Sequence, residues 1–343
     1  MAFQAVRLLF VGIALLIAQN GLAQQYAVTD LGTFDGIYSE AWAINGLGQV
    51  AGQASVGGRA HAFVWTAGTI QDLGILPGTD SCTAVAINDS GQVVGWCASD
   101  QQAGFVQAFL WTADAGMNAL PIVPPTVEAK GINAQGHIVG LQSDGRVESA
   151  FLYRDGEVED LGPVRASAIN DQDQIVGQGN ETARIWDVTG PHDLDNEGGV
   201  SWANAISADG LVAGASTRGG APPDPWHAVL WTPYGVSDLG TLGGAHAEAL
   251  AISGNIVVGW SNTAGGTEAH AFVYDTNGPG YAVDLNDLVP PGSGWTLVLA
   301  TGINACGQIV GYGTVNGATR AFLLTPVQPT VQSISSWQSP SRR

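Results

Sequence analysis

Three observations in the sequence together predict an all-β fold, a seven-bladed β-propeller with four short antiparallel strands per blade. A set of three phrases recurs seven times, at an average spacing of about 43 residues. Each repeat holds about four short runs rich in β-branched and aromatic residues, which is typical of strands, and none has helical periodicity. A lone strand, residues 26–32, precedes the first repeat, whereas the last repeat stops one strand short. Four strands in a repeat of this length are typical of propeller blades.

The first phrase, for example AINDSGQVVG, predicts two strands joined by a tight turn. Asn favours the start of such a turn, and Gly adopts the positive φ that ends it. AFVW and its variants predict the third strand, and Asp-Leu-Gly predicts the fourth. The isoleucines of the first phrase are Ile44, Ile87, Ile132, Ile169, Ile206, Ile252 and Ile303.

The two ends of the chain predict how the array closes. Strand 26–32 has the sequence of a fourth strand, so it can complete the last blade and remove the open edge of a linear array. A right-handed β-solenoid is the alternative. It has shorter repeats and needs capping ends, which the sequence lacks.

The repeated phrases DLGTLGGAHAEALAI, AINDSGQVVG and AHAFVW resemble those of the bacterial extracellular HAF-repeat family, from about Tyr26 to Thr325. The resemblance implies secretion and a propeller-like repeat, and it brings no catalytic residues. The chain departs from the family pattern because only His61, His227 and His270 keep the histidine, and the fourth repeat is shortened.

The N-terminal residues 1–23 have the pattern of a secretory signal peptide: Arg7, a short apolar run and small residues before the cleavage point. We therefore expect a secreted protein, extracellular or periplasmic, with one propeller domain over 24–326 and a disordered tail over 327–343, rich in Ser, Pro and Gln. No later run is long enough to span a membrane. The net charge of −19 argues against nucleic-acid partners.

Three cysteines in an exported chain allow one disulfide. Cys82 and Cys97 flank the turn between Asn88 and Gly91, and a two-residue turn would place them directly opposite each other. A bulge at the glycine would shift the register by one and spoil the pairing. The sequence favours the Cys82–Cys97 disulfide, with Cys306 as a free thiol.

The histidines and aspartates that recur with the repeat are expected to be structural. His61, His227 and His270 hold equivalent third-strand positions far from one another, so we predict a repeated hydrogen bond and no shared metal. The aspartates of the fourth strand are expected to accept hydrogen bonds from turn N–H groups. No cofactor is predicted. A calcium site is suggested only by Asp193, Asp195 and Glu197, which match half of a calcium-binding loop.

The aromatic residues that do not recur are the candidate ligand-binding residues: Trp226, Trp295, Trp202 and Phe105. Trp226, Trp295 and Phe105 lie in long loops on the face that carries the b–c and d–a connections, and exposed aromatics there can stack on sugars or peptides. The alternative is that each indole anchors its loop in the core.

No known catalytic motif is present, so the sequence favours a secreted, non-catalytic binding or interaction module, with a surface glycan or a protein as ligand. Two alternatives stay open. One is a propeller enzyme that acts on polysaccharide through carboxylates meeting across blades. The other is a structural component of the cell surface or matrix.

Overall fold

The structure is a computed structural model that describes residues 25–102, 104–122, 125–194, 198–217, 225–266 and 268–327. Within these ranges a single short 3₁₀ helix, Leu285–Leu288, accompanies the strands. No described helix has the length and apolar character needed to cross a membrane. The predicted signal peptide lies outside the described residues, as does the predicted tail from residue 328 onward.

The strands are arranged in seven antiparallel sets of four, which we number along the chain. Sets 2 and 3 are joined into one eight-stranded sheet by a parallel bridge between Val106 and Thr126. The bounds are β1 (Tyr26–Asp30); set 1, β2 (Ser39–Ile44), β3 (Val50–Val56), β4 (Arg59–Thr66), β5 (Thr69–Gly74); set 2, β6 (Ser81–Ile87), β7 (Val93–Ala98), β8 (Val106–Thr112), β9 (Gly116–Ala119); set 3, β10 (Thr126–Ile132), β11 (Ile138–Ser143), β12 (Glu148–Arg154), β13 (Glu157–Gly162); set 4, β14 (Arg165–Ile169), β15 (Ile175–Gly179), β16 (Thr182–Asp187), β17 (Gly190–Asp193); set 5, β18 (Ser201–Ile206), β19 (Val212–Ser216), β20 (His227–Thr232), β21 (Gly235–Gly240); set 6, β22 (Gly243–Ser253), β23 (Ile256–Thr263), β24 (Ala269–Asp275), β25 (Val283–Asp284); set 7, β26 (Trp295–Ile303), β27 (Ile309–Val315), β28 (Ala318–Pro326) with β1.

Strand β1 is the fourth strand of set 7. It pairs with β28 from Tyr26 opposite Pro326 to Asp30 opposite Phe322. The predicted strand 26–32 is therefore two residues shorter in the structure. It ends because Gly32 adopts a φ of +82° and its N–H turns back to the Asp30 carboxylate, at 2.8 Å.

The first strands of successive sets contact one another along the whole series, and β26 of set 7 also contacts β2 of set 1. Hydrogen bonds link the two ends of the series: the Thr301 hydroxyl donates to the Ala41 carbonyl, and the Ala321 N–H donates to the Ser39 hydroxyl. Sets 1 and 7 thus meet through side-chain hydrogen bonds, and the β1–β28 pairing brings the first described strand into set 7.

The core lies between neighbouring sets and is built from the repeated positions. The phenylalanine of the third strand is fully buried in five sets, namely Phe63, Phe109, Phe151, Phe272 and Phe322. In every set a buried alanine of the first strand pairs with a glycine of the second, such as Ala129 with Gly140. A Cβ at Gly140 would overlap the Glu128 carbonyl oxygen and approach the Phe151 ring to 2.9 Å, so the glycine recurs because no larger residue fits.

The Cys82–Cys97 disulfide is present and both cysteines are fully buried. The bulge at Gly91 does occur, since Gly91 has a φ of +74° and Ile87 pairs with Val93. A second bulge, at Val85, then shifts the register back and places Cys82 opposite Cys97. Two compensating bulges therefore allow the predicted pairing. Cys306 is free and exposed, as expected.

Candidate functional site

In an antiparallel set, the turns that follow the first and third strands lie on one face, and the other connections lie on the opposite face. We call the first the turn face and the second the mouth face. The turn face carries residues that recur from set to set, and the mouth face carries residues that vary. The candidate site lies on the mouth face.

The turn face carries a series of buried asparagines that hold neighbouring sets together. The side-chain amide of Asn45 donates to the Asn88 carbonyl at 3.0 Å, and Asn88 repeats this bond to Asn133 at 2.9 Å. Asn133, Asn170 and Asn304 continue the series, and Asn304 donates to the Asn45 carbonyl at 3.0 Å. The first phrase recurs because its Asn both closes its own turn and links two sets.

The turns of five sets surround one cavity of about 290 Å³, lined by Asn45, Asn88, Asn133, Asp171 and Asn304 among others. Residues from the first, second, third, fourth and seventh sets thus converge on one space. This is the arrangement expected when the first strands lie nearest to a common axis.

The repeated histidines lie on third strands, and each contacts the fourth strand of its own set. The Nδ1 atoms of His61, His227 and His270 lie 2.6–3.0 Å from the carboxylates of Asp72, Asp238 and Asp284, respectively. The same aspartates accept an N–H two residues later, as the Asp72 Oδ1 does from Gly74 at 2.7 Å. These pairings match the predicted structural roles of both residue types.

The first-strand residue just before the repeated alanine differs from set to set. Its second-strand partner, the residue just after the repeated glycine, also differs. In set order the first-strand residues are Glu40, Thr83, Glu128, Arg165, Trp202, Glu248 and Leu299, and their partners are Gln53, Trp96, Leu141, Gln178, Ala215, Trp260 and Tyr312.

In sets 5 and 6 these positions form an aromatic cluster around one carboxylate. Glu248 accepts hydrogen bonds from the indole N–H of Trp202 at 2.7 Å and from that of Trp260 at 3.3 Å. The Asn204 amide donates to the same carboxylate at 2.8 Å. All four side chains are partly exposed. The Glu248 carboxylate therefore holds the orientation of two indoles. All three of these hydrogen-bond donors are neutral groups.

Trp226 extends this cluster from the loop before β20. Its ring lies 6.0 Å from that of Trp202, edge to face, and 3.8 Å from the imidazole of His246. Its own indole N–H is buried and has no hydrogen-bond partner among the described residues. We call Trp202, Trp226, His246, Glu248 and Trp260 the indole cluster. It offers aromatic surface and one carboxylate.

Sets 1, 2 and 7 form a second cluster on the same face, around Glu40. The Gln53 amide donates to Glu40 at 2.8 Å and to the Tyr38 hydroxyl at 2.6 Å. Burial raises the pKa of the Tyr38 phenol, and its hydrogen bond to Glu40 raises that pKa further. The Trp42 ring packs edge to face on Tyr312 at 5.9 Å.

Sets 3 and 4 supply charged groups where the other sets supply aromatic ones. The Lys130 ammonium lies 2.7 Å from the Glu128 carboxylate, and the Arg165 guanidinium lies 2.7 Å from Glu148. The mouth face is therefore asymmetric: aromatic groups occupy one part, beside carboxylates that make no ion pair with any described residue, and paired ions occupy another.

The structure brings together two of the four candidate residues that the sequence singled out, Trp202 and Trp226. The Trp295 ring instead packs on Phe322 at 6.0 Å, against the core between sets 6 and 7. Phe105 is half-buried in a small loop that its own backbone closes through bonds to Ser99 and Gln102.

The calcium candidates cannot be placed as a group, because Asp195 and Glu197 lie outside the described residues. Asp193 is bound by Arg184 at 2.6 Å. The part of the chain that the structure describes contains no group of three or more His, Cys, Asp or Glu residues arranged to hold a metal ion.

Sequence reasoning missed Glu40, Trp42, Glu248 and Trp260 as site residues. A signal for them is present in the repeat: each lies at, or two residues from, a position that varies inside an otherwise regular phrase. Variation next to the invariant Ala-Gly pair is the pattern that marks this face.

No protein-family model matches the chain. No curated protein matches it.

Many solved structures resemble the chain in fold. A catalytically inactive virginiamycin B lyase from Staphylococcus aureus with quinupristin has a TM-score of 0.54 at 11% identity, covering 88% of this chain and 100% of that one. The β-propeller domain of the Trilobed protease from Pyrococcus furiosus has a TM-score of 0.57 at 9% identity, covering 85% and 96%. YCF48 bound to D1 peptide has a TM-score of 0.54 at 12% identity, covering 90% and 97%. At these identities the likeness shows the fold alone: the chain is an all-β propeller built from antiparallel four-stranded sheets.

Proposed function

We propose that this protein is a secreted, non-catalytic binding module, a closed seven-bladed propeller whose ligand contacts the indole cluster on the mouth face. The observation that carries the proposal is the convergence of Trp202, Trp226 and Trp260, from two sets, around Glu248. Three indoles and a carboxylate, partly exposed together, suit a ligand with flat or apolar faces and hydrogen-bonding groups.

Two groups of contacts support the blade count and the closure. The seven four-stranded sets each contact the next through their first strands, and set 7 contacts set 1 in the same way. The series of Asn side chains crosses the junction as well, from Asn304 to Asn45. A closed ring leaves no sheet edge at which further copies could add.

Export is supported by the buried Cys82–Cys97 disulfide, because stable structural disulfides belong to oxidising compartments. The signal-peptide pattern in residues 1–23 and the HAF-repeat phrases agree with this location. Membership of the HAF-repeat family is part of the proposal.

The ligand class is a surface glycan or a protein. Both stack on indoles, and both present donors to a carboxylate such as Glu248. Of the solved propellers above, one was captured with a peptide and another is a lyase with its ligand.

The test is a binding screen of the folded chain from residue 24 on a glycan array and a displayed protein library. We expect at least one ligand, whose affinity falls about tenfold or more in Trp202→Ala and in Trp226→Ala, since buried aromatic contacts dominate such sites. Tyr234→Ala is the matched control, because Tyr234 is an aromatic residue of set 5 that is 99% exposed in a turn of the opposite face.

A ligand lost equally from Trp202→Ala and Tyr234→Ala would contradict the site. Turnover of a polysaccharide that stops in Glu248→Gln and Glu40→Gln would favour the enzyme alternative. Self-assembly at high concentration without any ligand would favour the structural one.

A further inference from the structure

Set 6 departs from the repeat at its outer edge. Its fourth strand, β25, has two residues, whereas the fourth strands of the other sets have four to six. It pairs with β24 only through Phe272 with Asp284 and Val273 with Val283. The segment 276–282, which includes Gly278, Pro279 and Gly280, replaces the rest of the hairpin. The outer part of β24 is therefore left without the cover that this strand provides elsewhere.

A cavity of about 1280 Å³ occupies this place. Its apolar wall includes Leu242, Ile256, Val273 and Leu288. Small-molecule sites usually measure about 300–1,000 Å³ and are lined mainly by apolar side chains with a few fixed polar groups. The cavity is somewhat larger than this range, its wall is of the same kind, and none of its lining residues belongs to the indole cluster.

The polar groups of the cavity are acidic or phenolic. Tyr26 lines it and is only 5% exposed, yet its hydroxyl makes no hydrogen bond to any described residue. Burial raises the pKa of this phenol, and the negative charge of Asp275 raises it further. The phenol therefore stays protonated and available as a hydrogen-bonding group beside a carboxylate.

The charges of the cavity are not balanced by its own lining. Asp275, Asp284 and Asp287 contribute carboxylates, and none of the described residues that line the cavity is Lys, Arg or His. Asp284 is already engaged by His270 and by Asn286. Asp275 and Asp287 make no ion pair among the described residues, so the cavity presents a net negative charge over an apolar wall.

We propose that this cavity binds a small amphipathic amine, with the apolar body on the wall and the ammonium beside Asp275 and the Tyr26 hydroxyl. A carboxylate favours a cation at short range, and a partly enclosed site strengthens the attraction. The same carboxylates disfavour anionic ligands, and a neutral analogue gains only the apolar contact.

The test titrates the folded chain with three probes of one shape: phenethylamine, phenethyl alcohol and 3-phenylpropionate. Calorimetry, or Tyr26 resonances in NMR spectra, reports binding. We expect saturable binding of the amine at least about tenfold tighter than of the alcohol, which corresponds to about 1.4 kcal/mol, and no binding of the acid.

Variants locate the site. Asp275→Asn keeps the side-chain oxygen that accepts the Asn277 N–H, so the fold is retained while the charge is lost. It should weaken amine binding about tenfold, and Tyr26→Phe should weaken it several-fold. Asp155→Asn is the matched control, because Asp155 is an exposed acid in the corresponding turn of set 3. Trp202→Ala should leave amine binding unchanged, which separates this site from the proposed ligand site.

Equal affinity for the amine and the alcohol would overturn the proposal, since the carboxylates would then contribute nothing. The absence of saturable amine binding up to about 10 mM would overturn it as well. An equal loss in Asp155→Asn and Asp275→Asn would show that the net charge of the chain, not the cavity, attracts the amine.

Discussion

On the turn face, Asn45, Asn88 and Asn133 each donate the same hydrogen bond to the next set. On the mouth face, the corresponding strands of the same three sets present two glutamates and a threonine, Glu40, Glu128 and Thr83, so this position is not constant. Both faces are formed by the ends of the same first strands. At the turn-face end the residue type is constant because the hydrogen bond between sets requires it. At the mouth-face end the residue type varies.

A repeat meets two kinds of requirement, one from the packing of neighbouring sets and one, under the proposed function, from a ligand. A bond between sets must recur in nearly every set, because each junction needs it. The proposed ligand contacts the mouth face at one place, which does not require the sets to be alike there. The junction between sets 5 and 6 illustrates both points: Ser207 and Ser253 replace the turn-face asparagine, while Trp202 and Glu248 make a direct hydrogen bond on the other face.

The largest expected loss of stability follows from a substitution on the turn face. Asn88→Ala removes the bonds to the Asn133 carbonyl and to Gln92, and it leaves buried backbone groups unsatisfied. We expect the free energy of unfolding to fall by about 3 kcal/mol in a denaturant titration. Asn88→Ser should recover part of this, since Ser207 bonds the Leu211 N–H at the equivalent turn.

The control for this change is Asn118→Ala, at an exposed position of β9 where the amide contacts only nearby carbonyls. Its effect should stay within about 0.5 kcal/mol. A similar small effect in Asn88→Ala would show that the asparagines close their turns without linking the sets.

An intermediate effect is expected on the mouth face. Glu248→Gln leaves one side-chain oxygen to serve the donors Trp202, Asn204 and Trp260, and at least one indole N–H loses its acceptor. We expect a loss of stability of about 1 kcal/mol and a clear change in the near-UV circular dichroism of the indoles. An unchanged spectrum would mean that Glu248 does not orient them.

The smallest effect is seen only in alkaline solution. The pKa of Tyr38 is raised by burial and by Glu40, and that of Tyr312 by burial and, less, by Glu40. The folded state therefore holds these protons more tightly than the unfolded state. Their contribution to stability is complete below a pH of about 10 and is lost as the pH rises above it.

A titration that follows phenolate absorbance checks this prediction. Three of the seven tyrosines, Tyr26, Tyr38 and Tyr312, should titrate late, because burial raises the pKa of each phenol. Glu40→Gln should lower the pKa of Tyr38 because it removes the negative charge beside the phenol. If Glu40→Gln shifts no tyrosine, the carboxylate does not act on Tyr38.

Much of the architecture could be predicted from the repeat. The Asn-x-x-Gly turn, the Val-Gly pair and the buried phenylalanine are local requirements, so each recurs wherever the chain forms the same four strands. The Cys82–Cys97 pairing was predicted from a hairpin without bulges. In the structure the bulge at Gly91 occurs, and the bulge at Val85 compensates for it and restores the pairing.

The candidate site was predictable only in part. Trp202 and Trp226 stood out because they do not recur, but so did Trp295, which packs on the core. Sequence position distinguishes an unrepeated residue from a repeated one. It does not distinguish an indole that turns toward a neighbouring set from one that turns inward.

The sequence by itself determined the strands, their order along the chain and the structural roles of the repeated His and Asp residues, and it favoured the disulfide. These follow from local propensity and from periodicity along one chain. Only the tertiary structure decided that Trp202 meets Glu248, 46 residues away, and that the short β25 leaves a cavity beside Tyr26. Those contacts join different sets, so they depend on how the sets pack and not on any pattern within one repeat.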